Sequence, residues 1–100
     1  MEKVNFIYNR DVDSLAVFTD RKTYASMEFG KDIIIGLDKR DQVTGVEILN
    51  PDKHYNIPKK LLKSISSASM KFSRWRGILQ IFIVLKINQI EKEIPILVPT

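Results

Sequence analysis

The chain has 100 residues, of which 44% are apolar and 28% charged, with no cysteine and a net charge of +4. That composition excludes disorder, a disulfide scaffold and thiolate metal sites, and it sizes the chain for one domain with a modest core. The longest apolar run, ILQIFIVLKI, is about half the length a bilayer-spanning helix needs, and the first thirteen residues lack the apolar core of a signal peptide. The expectation is a cytoplasmic protein with no membrane partner.

Charge is unevenly spread. Residues 1–50 hold seven Lys and Arg against nine Asp and Glu, whereas residues 51–100 hold nine against three. Between Lys53 and Arg76 lie seven basic residues and no acidic one. Such a block is either a solvated face or a binding surface for phosphates or an acidic partner.

In chain order, Val4, Phe6 and Tyr8 alternate with polar residues and predict a strand, followed by the turn residues of NRDVD. SLAVFT is the next strand, residues 14–19. ASMEF is a short, weak one that Gly30 ends. DIIIGLD is stronger, because Ile33 to Ile35 are β-branched and suit a pleated surface. After the polar turn KRDQ, residues 43–49 return as a strand. Gly45 inside it predicts a bulge or a close backbone approach, and Asn50-Pro51 ends it. The first half therefore reads as a meander of four or five antiparallel strands.

PDKHYN reads as a connection. Pro58 then opens a short helix over 58–66, with Leu61, Leu62 and Ile65 on one side and Lys59, Lys60 and Lys63 on the other. Residues 67–76 read two ways. Helical spacing gathers Leu61, Ile65, Ala68, Phe72 and Trp75 on one face, while four serines in SISSAS and the Arg76-Gly77 turn signal favour a strand hairpin with ILQIFIVLKI. The balance places helix to about Ser66 and strand from about Ala68. ILQIFIVLKI itself predicts a strand buried on both faces, central in a sheet or inside a dimer interface. Pro95 places the last strand, EIPILVP, at an edge or a bulge.

The order and spacing of YNRDVDSLAVF and DIIIGLDKRDQVTGVEILN resemble a small prokaryotic family known as domain of unknown function 2283. The resemblance runs through Tyr8, Asp13, Ser14 and Leu15, then Ile33 to Ile35 with Asp38, then Gly45, Val46, Glu47, Ile48 and Leu49, and covers residues 4–50. Gly36 stands where that family often has Asp, and about fifty C-terminal residues lie beyond the resemblance. It implies a small β-rich fold with no established activity. By analogy it also implies an antitoxin-like or regulatory role.

Catalytic signals are sparse. His54 sits alone in a connection and reads as an exposed histidine without a role, and no serine lies in a nucleophile elbow. The pairs Asp11 with Asp13 and Asp38 with Asp41 read as turn-stabilising aspartates rather than metal ligands. Glu47 faces outward if Val46 and Ile48 face the core. KFSRWRG interleaves Phe72 and Trp75 with Lys71, Arg74 and Arg76, the residue types that hold single-stranded nucleic acid.

The sequence thus predicts a β-dominated α+β fold of antiparallel meanders, with about seven to eight strands and one short helix near 58–66. It forms a single domain in three parts, 1–50, 51–66 and 67–100. The expected function is non-enzymatic, without cofactor or metal, working by association as a homodimer or with a small protein partner. The alternative is a nucleic-acid-binding regulator using Lys59, Lys60, Lys63, Lys71, Arg74 and Arg76. A small hydrolase or metal-binding protein is the third and least supported reading.

Overall fold

The computed structural model describes residues 1–100. Eight strands form one antiparallel sheet: β1 (Glu2–Asn9), β2 (Ser14–Phe18), β3 (Ala25–Phe29), β4 (Ile33–Leu37), β5 (Val43–Leu49), β6 (Ile65–Trp75), β7 (Ile78–Ile87) and β8 (Ile90–Pro99). Two short helices, α1 (Pro51–Tyr55) and α2 (Lys59–Leu62), join β5 to β6. The spatial order is β3-β4-β5-β2-β1-β6-β7-β8. The β-dominated α+β class read from the sequence is the observed one.

β1 is the corner strand. Glu2, Lys3 and Val4 pair with β6, while Asn5 to Asn9 pair with β2. The sheet curls there, so that five strands face three across one core. Alternation explains which residues go inside. Leu15, Val17, Ile35, Val46 and Ile48 come from the five-stranded half, and Leu79, Ile81, Ile83, Leu85 and Ile87 come from β7. All ten are buried in one cluster, each pleat row placing its apolar partner opposite.

The first half is not a simple meander. β2 lies beside β5, not beside β3, which is carried out to the edge. Burial gives the reason. β5 can offer Val43, Val46 and Ile48 to the core, whereas ASMEF has no fully buried residue and suits an edge. Gly45 does what its position predicts. Gly36 faces Gly45 but Leu37 faces Val43, so Thr44 is the extra residue of a bulge. A Cβ on Gly45 would stand 2.9 Å from both the Phe18 Cβ and the Val17 carbonyl oxygen. The buried Thr44 hydroxyl meets that of Thr23 at 2.6 Å.

The helical region differs from expectation. The PDKHYN connection holds a short helix: Asn50 adopts a left-handed conformation (φ 55°) and Pro51 opens α1 at its first turn. The helix expected over 58–66 shortens to Lys59–Leu62, because Ile65 already pairs with Ile87 and Ser66 bulges out to donate to the Lys86 carbonyl. Serines favour that extended backbone over a helix. Arg76 and Gly77, both at positive φ (51° and 77°), make the two-residue turn from β6 to β7, a geometry that matches strand twist.

Candidate interaction surface

The three-stranded half has an outer face as well as an inner one. β7 is not buried on both sides: Leu79, Ile81, Ile83, Leu85 and Ile87 point inward, and Ile78, Gln80, Phe82, Val84 and Lys86 point outward. Polar Gln80 and Lys86 share the parity of Phe82 and Val84, a signal within the apolar run that already marks the outer face. Pairing builds three adjacent rows there, Trp75–Ile78–Pro99, Ser73–Gln80–Leu97 and Lys71–Phe82–Pro95, followed by Ser69–Val84–Glu93. Trp75 is 62% exposed and Leu97 59%. A shallow depression of about 480 Å³ crosses this face, lined in part by Lys71, Ser73, Gln80, Phe82, Pro95 and Leu97. Burying residues of this type releases about 25 cal/mol per Å², so leaving them in water is a standing cost that a partner would remove.

The basic segment does not form one surface. Lys59, Lys60 and Lys63 are exposed on and just after α2, at the start of β6. Arg74 and Arg76 lie at its far end, eleven strand residues away, a span of roughly 33 Å at 3.3 Å per residue. Within the distal group the roles divide again. Lys71 points outward, its ammonium 5.6 Å from the centre of the Phe82 ring. The Arg76 guanidinium lies 4.6 Å from the Trp75 ring centre. Arg74 has inward parity, beside Leu79, and its guanidinium donates to the Asp41 carbonyl of the β4–β5 turn. That side chain bridges the two halves of the sheet at the open end of the core. Lys71 and Arg76 therefore stay on the outer face with the aromatics, and the other four do not.

The candidate catalytic and metal residues have structural partners. His54 is not a histidine without contacts: its Nε2 pairs with the Asp32 carboxylate, tying α1 to the β3–β4 turn beside a small open cavity of about 240 Å³. Lys31 and Tyr55 line that cavity with the pair, and no cysteine, serine or threonine does. Asp38 Oδ1 accepts from the backbone N–H groups of Gln42 and Arg40, and these bonds, with the Arg21 and Arg40 charges, hold its carboxyl below the ordinary range. Asp13 accepts from the Tyr8 phenol at 2.7 Å. Burial and that hydrogen bond push the Tyr8 phenol up to about 12. Glu47 faces outward as expected and accepts from the Ser14 hydroxyl at 2.9 Å. No group of three or more His, Asp or Glu side chains converges on a common point.

The architecture defines a small antiparallel β-protein built from a five-stranded and a three-stranded layer around a corner strand. Residues 5–50 match the family described as protein of unknown function (DUF2283). No curated protein and no solved structure matches the chain. The match begins at Asn5, the residue at which β1 leaves β6 and joins β2. The matched segment thus coincides with the five-stranded layer, and β6 pairs with the three residues that precede the match. No helix is long and apolar enough to cross a membrane.

Proposed function

We propose that the protein works by association, as a non-enzymatic binding module, with the outer face of β6–β8 as its contact surface. One observation carries this reading: Trp75, Phe82, Pro95 and Leu97 form an outward apolar patch on the three paired strands β6–β8. Aromatic residues at the centre of a patch, with charges at its margins, are the composition of protein interfaces. An antitoxin-like or other regulatory role is compatible with a chain that acts by covering or being covered. A photo-crosslinking amino acid placed at Leu97 tests the reading in the cells that make the protein. Crosslinks to a polypeptide are expected; their absence at native expression level overturns it.

A second reading draws on the same face. Lys71 and Arg76 set cations against Phe82 and Trp75, a combination that can hold single-stranded nucleic acid. Glu91 and Glu93 on the neighbouring strand repel phosphates, which places this reading second. Anisotropy of a labelled single-stranded oligonucleotide, titrated across salt, decides it. A steep salt slope supports phosphate contact, and no binding at low salt ends the reading.

A further inference from the structure

The outer face of β6–β8 has a charge pattern as well as an apolar centre. Along β6 it is basic, with Lys71 on the strand and Arg76 at its end over Trp75. Along β8 it is acidic, with Glu91 and Glu93 in the outward positions. On β7, Phe82 and Val84 run between the two sides, with Lys86 outward next to Glu91.

We infer that the occupant of this face is a second copy of the chain, packed face to face about a two-fold axis running along β7. The inference rests on the association reading above and adds the identity of the partner. A two-fold rotation about that axis lays β6 of one copy over β8 of the other. The Lys71 side then meets the Glu93 side twice, Phe82 and Val84 meet their own counterparts, and the two Lys86 side chains meet between the Glu91 side chains of both copies. An axis across the strands would set the two Lys71 side chains near each other and both Glu93 side chains near each other, like charge beside like charge. A face of one sign would call for a partner of opposite sign; this face complements itself, as an isologous interface must. Aligned sheets pack at about 30° between strand directions, so the axis bisects the two β7 directions at about 15° from each.

Size sets the strength. Strands of ten residues are about 33 Å long and three of them about 14 Å wide, so the pair buries roughly 1,000 Å², the lower limit of specific interfaces. The dimer is therefore weak and concentration-dependent.

Light scattering on the eluting protein, over concentrations from about a micromolar to about a millimolar, tests the inference. A monomer–dimer transition is expected, and a monomer throughout overturns it. Leu97→Glu, at an exposed position, is expected to abolish the dimer while leaving the melting temperature of dilute protein unchanged; a dimer that survives it overturns the assigned face. Lys71→Glu and Glu93→Lys are each expected to weaken the dimer about tenfold or more, and the double variant to recover most of that loss. Failure of the double variant to recover overturns the axis. Crosslinking from position 97 separates this inference from the reading it rests on. Adducts at twice the chain mass support both, adducts only to other polypeptides overturn the second copy but leave association standing, and no adducts overturn both.

Discussion

The Tyr8 phenol donates a 2.7 Å hydrogen bond to the Asp13 carboxylate, closing the β1–β2 turn from beneath. Asp13 holds a left-handed backbone there (φ 48°), and its N–H donates to the Arg10 carbonyl. Burial and the bond to Asp13 keep the phenol protonated to about pH 12, against 10.0 for an ordinary tyrosine. The folded state thus retains a proton that the unfolded chain releases first. The stabilising contribution is complete below pH 10 and is lost as pH rises from 10 to about 12. Urea unfolding of wild type and Tyr8→Phe at pH 8, 10, 11 and 12 checks this. The stability difference between the two is expected to shrink or reverse above pH 10, and a constant difference would contradict it.

Gly45 shows a second kind of constraint. An added Cβ would stand 2.9 Å from the Val17 carbonyl oxygen and the Phe18 Cβ, both on the central strand β2. Neither can swing away as a side-chain tip could. Removing glycine's unfolded-state freedom favours Ala by about 0.4–1 kcal/mol, while overpacking of this kind costs about 1–3 kcal/mol. The overlap outweighs the entropy, so Gly45→Ala is expected to destabilise by about 1 kcal/mol or more in chemical denaturation. Gly30, with open space around its Cβ position, has no such clash, and its requirement is conformational, φ 65°.

The contrast between neighbours on β7 separates core from surface. Ile83 is fully buried between Met70 and Ile94, whereas Phe82 stands half-buried on the outer face between Lys71 and Pro95. Ile83→Ala is expected to cost about 2–5 kcal/mol, the range for deleting a core side chain. Phe82→Ala costs less folding stability than Ile83→Ala, since part of its ring already faces water. Thermal melts of dilute protein give the ranking, and equal losses would contradict the assignment of faces.

How far such distinctions are legible in the sequence varies by feature. The strand alternation, the Gly45 bulge and the Arg76-Gly77 turn rest on local chemistry, and local chemistry is what a sequence displays. The placement of β3 is non-local: ASMEF moves to the edge because β5 competes better for the position beside β2. Arg74 looks like its neighbours Lys71 and Arg76, and only strand register reveals that it points inward to Asp41 while Lys71 points out. His54 looks solitary because its partner Asp32 is 22 residues away. The double burial expected of β7 came from mean hydropathy, while the parity of Gln80 and Lys86 carried the better information.

Arg74 gives a direct test of how the two layers are joined. Its guanidinium donates to the Asp41 carbonyl across the open end of the core, in the turn where Asp41 itself holds φ 59°. Arg74→Met keeps the aliphatic stem over Leu79 and removes the donor. A bond from a charged donor contributes about 1.5–3 kcal/mol when buried, and exposure of Arg74 lowers that to about 1 kcal/mol. The expected result is a small loss in urea stability with faster amide hydrogen exchange confined to the β4–β5 turn. Unchanged exchange there would show that Arg74 does not hold the layers together.

The corner strand makes the last prediction. The family-matching layer, residues 5–50, presents Leu15, Val17, Ile35, Val46 and Ile48 on one face, and β7 supplies the cover. A chain ending at residue 56 would expose that face and would also strip Glu2, Lys3 and Val4 of their β6 partners. Five fully buried aliphatic side chains contribute about 1.5–3 kcal/mol each, a total comparable to or larger than the whole stability of a domain this size. The 1–56 fragment is therefore expected to aggregate or to lack a cooperative thermal transition. Adding the 57–100 fragment in trans is expected to restore a transition, because β7 then covers the exposed face and β6 pairs with Glu2, Lys3 and Val4. A soluble, cooperatively folded 1–56 monomer would show instead that the five-stranded layer does not depend on β6–β8 for its core.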